Sequence, residues 1–123
     1  MFRPIPAIAI LCLTAAPTLA ADNSKELATA AAHAGMAAGA EAPQMVRAHL
    51  QHVVNCLEGP KGADFVAALG NPCSSQGEGA IPDSPADGKK KLEDAAGLAK
   101  RALAEQNIDK AKQMASELQS QLR

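Results

Sequence analysis

Apolar residues recur at helical spacing in four places along this chain, and no segment alternates in the manner of a strand. The first place is Asn23 to Ala40, where Ala, Leu and Met follow a polar start of Asn23-Ser24-Lys25-Glu26. Asn23 stands where a cap is needed, and Glu26 follows three residues later, as in a capping box. Alanine has the highest helix propensity, and Gly35 and Gly39 suit close packing against a neighbour. The second place is Pro43 to Glu58. Proline fits a first helical turn, because its missing N–H would lack a partner there anyway. With His49 set at zero and about 100° per residue, Val46, Leu50, Val53, Val54 and Leu57 fall between about 40° and 140°. That is one coherent apolar face. Gly59 is then free to turn left-handed and Pro60 cannot continue the helix.

Residues 59–83 lose this periodicity and are rich in Gly, Pro, Ser and Asn. Ala63 to Leu69 could form a short helix that lays Phe65, Val66 and Leu69 on the core. Gly70-Asn71-Pro72-Cys73 reads as a turn, and Ser74 to Pro82 as an exposed loop. A third helix is expected over 84–105, capped by Ser84 with Pro85 in its first turn and Asp87 answering. Leu92, Ala95, Ala96, Ala99, Ala102 and Leu103 form its apolar series. Gln106-Asn107 reads as a tight break in which Asn107 takes a left-handed conformation. A fourth helix over 108–122 carries Ile108, Ala111, Met114, Ala115, Leu118 and Leu122. The expected fold is all-α: an up-down four-helix bundle of two hairpins joined by a long Gly/Pro-rich loop.

Residues 1–20 stand apart from this pattern. Arg3 gives a positive start, Ile5 to Leu13 a short apolar core, and Thr18-Leu19-Ala20 the small residues that a signal peptidase reads. We read them as a cleaved signal, which leaves 21–123 as a single helical domain in a bacterial periplasm. Removal takes Cys12 and leaves Cys56 and Cys73, and two cysteines in an oxidising compartment pair. Such a bridge would pin the loop to the second helix.

Composition narrows the function. The formal charge is −1, with 12 Lys+Arg against 13 Asp+Glu, which gives no basic field for nucleic acid. Lys89-Lys90-Lys91 reads as a solvated face. Two Phe and no Tyr or Trp leave nothing for base stacking or an aromatic pocket. No apolar run reaches the 18 or so residues of a membrane span.

What remains is the three histidines. His49, His52 and Cys56 lie at about 0°, −60° and −20°, and Met45 at about −40°, one stripe beside the apolar face. An antiparallel hairpin bending near Glu41 sets His33 level with His49 and brings Met36 toward Met45. His33, His49 and His52 are therefore the candidate metal ligands, with Met36, Met45 or Cys56 as a further donor. Three imidazoles with an open position suit copper, zinc or nickel, and a nearby thioether favours copper. Haem between a His and a Met is a remote alternative, and the absence of C-x-x-C-H excludes covalent attachment. Pairing with Cys73 would give Cys56 a supporting role in place of a ligand's.

The stretch Ala28-Thr29-Ala30-Ala31-Ala32-His33-Ala34 with His49 and His52 resembles the small metal-binding protein family of exported, alanine- and histidine-rich four-helix proteins. Leu92-Glu93-Asp94-Ala95-Ala96 and Ala111-Lys112-Gln113-Met114-Ala115 carry the resemblance in the second hairpin. It implies binding of divalent or copper ions through histidine side chains. With three histidines, this chain could hold one or two ions. The expected role is sequestration or delivery of copper or zinc, not catalysis. Ser74 and Ser75 have no base nearby in sequence, and a disulfide would remove Cys56 as a nucleophile beside His52. The alternative is a non-catalytic interaction module, stapled by the disulfide, whose loop 59–83 docks a periplasmic protein partner.

Overall fold

The structure is a computed structural model and describes residues 22–123. The signal expected at 1–20 lies outside the described residues. Among the described residues four α-helices form: α1 Ser24–Gly39, α2 Pro43–Glu58, α3 Ala86–Ala104 and α4 Ile108–Gln121. Each packs on its two neighbours in the ring α1–α2–α3–α4, and α2 also touches α4 across the diagonal. Arg47, near the start of α2, donates to the carbonyls of Leu103 and Glu105 at the end of α3, so these two helices run antiparallel. This is the expected four-helix bundle. No helix among the described residues is long and apolar enough to cross a membrane.

The core is asymmetric in side-chain size. α2 buries Val46, Leu50, Val53, Val54 and Leu57, whereas α1 buries Ala30, Ala31, Ala34 and Ala37. Alanine faces let the backbones of α1 and α4 approach closely, and the bulky face of α2 fills the centre between them. The side chain of Gln119 covers Gly35 so tightly that a Cβ there would fall 2.2 Å from its amide nitrogen.

The ends of the elements depart from expectation where tertiary contacts outbid local ones. Asn23 does not cap α1; its amide donates to the Ala80 carbonyl at 3.0 Å. Glu26 does not close a capping box; it is wholly buried and accepts from the Gly79 N–H. Ser84 makes no cap either, and α3 starts at Ala86 with Pro85 as its N-cap residue. Asn107 is not left-handed (φ −78°) and caps α4 by accepting from the Lys110 N–H. Gly59 does adopt positive φ (73°), and needs it, since a Cβ there would lie 1.8 Å from the Glu78 carbonyl oxygen.

The long connection is more ordered than its composition suggests. Only one 3-10 turn forms, Ala67–Leu69. Val66 and Leu69 stay exposed, so the expected packing of a helix over 63–69 does not occur. Residues 79–84 are not the exposed end of a loop. The N–H groups of Ala80 and Ile81 donate to the carbonyls of Cys56 and Leu57, closing the C-terminus of α2. Ala80, Asp83 and Ser84 are buried. This strap satisfies carbonyls that a helix end would otherwise leave unpaired.

Candidate metal centre

α1 and α2 bring His33, His49 and His52 together at mid-height of their hairpin, each half-buried, with candidate donor atoms all within 4.8 Å of one another. His33 Nδ1 lies 3.1 Å from His49 Nδ1 and 3.3 Å from His52 Nδ1. An ion with metal–nitrogen bonds of about 2.0–2.1 Å and near-tetrahedral angles sets its nitrogens about 3.3–3.4 Å apart. Both spacings to His33 are close to that value, and the donor atoms of all three residues lie within 4.8 Å of one another, so the cluster could hold one ion. The three rings are tilted or edge-on to each other, with centroids 4.8–5.9 Å apart.

The tautomer of His52 follows from its other nitrogen. His52 Nε2 lies 2.7 Å from the Leu69 carbonyl oxygen, which can only accept. The proton is thus on Nε2, and in the neutral ring Nδ1 presents a lone pair. Metal-bound histidines carry this kind of outer hydrogen bond, which orients the ring. Burial, followed by the charges of the other two imidazoles, holds His33 below the usual histidine range. Burial and then His52 do the same for His49. Both rings are neutral at pH 7, the form that binds metal. Without metal, one proton on His33 Nδ1 can serve both neighbouring nitrogens. With the His33 proton moved to its own Nε2, His33 Nδ1 would present a lone pair to a cation beside His52 Nδ1.

The Leu69 carbonyl is itself held in place. Asn55 is fully buried, donates to the carbonyls of Val66 and Gly70, and accepts from the Val66 N–H. Gln51 donates to Asn55 and to the Asp64 carbonyl. Lys100 ties the same segment to α3, bridging Glu58 at 3.0 Å and Asp64 at 2.9 Å. These two carboxylates raise the Lys100 ammonium above the usual lysine range. Sequence reasoning missed Asn55 and Leu69. Asn55 sits opposite the apolar face of α2, where a polar residue normally meets water. Here the 64–70 segment covers it, and no local signal announces that.

The other proposed donors separate. Cys56 is not a free ligand: it is bonded to Cys73 across 17 residues, and both are buried. Its thiolate is unavailable either for a metal or as a nucleophile beside His52. The bridge instead fixes the long connection to α2 at Cys73, six residues before the strap. Met36 and Met45 are about half exposed near the bend of the hairpin.

Compared with protein-family models, curated proteins and solved structures, the chain matches none. The class stated here, a disulfide-stapled four-helix bundle with a three-histidine cluster, therefore rests on the fold and the site alone.

Proposed function

We propose that this chain is a periplasmic metal-binding protein that holds one copper or zinc ion through His33, His49 and His52, for sequestration or delivery. The observation that carries the reading is the convergence of three Nδ1 atoms, one with its tautomer set by the Leu69 carbonyl. Neutral imidazoles suit both metals, and hard oxygen-seeking cations are disfavoured because the cluster contains no carboxylate. The resemblance to exported small metal-binding proteins supports the same role, as does the disulfide, which persists in oxidising compartments.

Native mass spectrometry of chain 21–123 with Zn(II) or Cu(I) tests this. We expect one tightly held ion, lost when His33, His49 and His52 are all changed to alanine. Equal binding by the triple variant would overturn the assignment.

A further inference from the structure

The large apolar side chains that the described residues expose are Met36, Met45, Val66 and Leu69. All four lie on the segments around the histidine cluster. Met36 is one turn past His33 on α1, Met45 one turn before His49 on α2, and the 66–69 segment carries the carbonyl that holds His52. Two of them are thioethers, the soft donors of this group.

The hairpin geometry distinguishes the two. Because His33 Nδ1 meets His49 Nδ1, positions 33 and 49 face each other across α1 and α2. Met36, at i+3 from His33, and Met45, at i−4 from His49, share those faces one turn nearer the bend. Helical side chains lean toward the N-terminus of their own helix and cover the preceding turn. For Met36 the preceding turn is that of His33. For Met45 it is the bend itself, away from His49. The common lean of helical side chains thus directs one thioether over the cluster and the other off it.

We propose that Met36 is a fourth ligand, closing the cluster into a site of three imidazoles and one thioether that prefers cuprous copper to zinc. This deepens the reading of His33, His49 and His52 given above and rests on it. The rise from residue 33 to residue 36 is about 4.5 Å, within reach of a flexible side chain with three rotatable bonds. Met36 is 49% exposed, so it can swing onto an ion without disturbing the core. A thioether adds affinity for Cu(I) and little for Zn(II), so it converts an imidazole site that serves both metals into one that discriminates. Exposure also leaves the sulfur free to meet an arriving ion before the histidines do.

The test measures Cu(I) affinity anaerobically against a chromophoric Cu(I) chelator, and Zn(II) affinity against a chromophoric zinc chelator, on chain 21–123. Met36→Leu should weaken Cu(I) about tenfold or more and leave Zn(II) within about twofold. Met45→Leu should change neither. Copper X-ray absorption should show one sulfur neighbour in the unaltered chain and none in Met36→Leu. Unchanged Cu(I) affinity in Met36→Leu, or an equal loss in Met45→Leu, would overturn the proposal. In either case, metal binding that is lost on removing the three histidines would leave the histidine site standing. Failure of the unaltered chain to bind either metal would overturn both readings. A circular dichroism melt of each leucine variant verifies that it folds, as expected for changes at half-exposed positions.

Discussion

Glu26→Gln should stabilise this protein at alkaline pH and leave it unchanged in acid. Glu26 is wholly buried; one carboxyl oxygen accepts from the Gly79 N–H at 2.9 Å and the other has no partner. Asp83, which accepts from the Glu78 N–H, borders the same small space: a Cβ on Gly77 would lie 2.3 Å from Asp83 Oδ2 and 2.6 Å from Glu26 Oε1. Burial foremost, and the Asp83 charge against the opposing Gly79 hydrogen bond, hold the Glu26 carboxyl above the usual glutamate range. Protonated, Glu26 can donate to Asp83, and the strap is locked to α1. The folded state therefore binds this proton more tightly than the unfolded chain does. The stabilisation is complete below the ordinary glutamate value and is lost as pH rises through the elevated one. Glutamine keeps the acceptor for Gly79 and supplies a permanent donor to Asp83. Relieving a buried unpaired oxygen is worth about 1–3 kcal/mol. For a domain of this size each kcal/mol moves the melting temperature by roughly 4–8 °C. Thermal melts of the metal-free protein at about pH 4.5, 6 and 8, followed by circular dichroism, check this. His33 and His49, held below their usual range, give a pH dependence of opposite sign, but it cancels in the difference between the two proteins. A difference independent of pH, or a less stable glutamine variant at pH 8, would refute the reasoning.

Two further perturbations probe the support of the candidate metal site and of the fold. Asn55→Ala removes the hydrogen bonds that hold Val66 and Gly70, and should weaken metal binding by about 10–100-fold through the Leu69 carbonyl, as outer-shell changes do; titration with Zn(II) reads it, and unchanged affinity would show that His52 needs no such support. Changing both Cys56 and Cys73 to serine should cost about 3 kcal/mol for a loop of this length, measured by urea denaturation. An unchanged midpoint would mean that the strap contacts alone restrain the chain.

Much of this molecule is legible in residue order because its helices are local objects. The face Val46, Leu50, Val53, Val54, Leu57, the proline at the start of α2 and the positive-φ Gly59 at its end follow from periodicity and backbone sterics. The level pairing of His33 with His49 follows too, since a short bend between two helices leaves few registers. Pairing of Cys56 with Cys73 was expected only on the reading that Cys12 leaves with a cleaved signal, and the bond itself is seen in the fold. What residue order alone could not decide is how the long connection folds back. That return turned Glu26 from a cap into a buried acid, took Asn23 to Ala80, and brought Leu69 to His52 and Asn55 to the segment that carries it. Those contacts join residues 11 to 57 positions apart. A helix pattern reports which side of a helix is apolar. Whether its polar side meets water or a returning strap is settled only when the whole chain competes for the same buried hydrogen bonds.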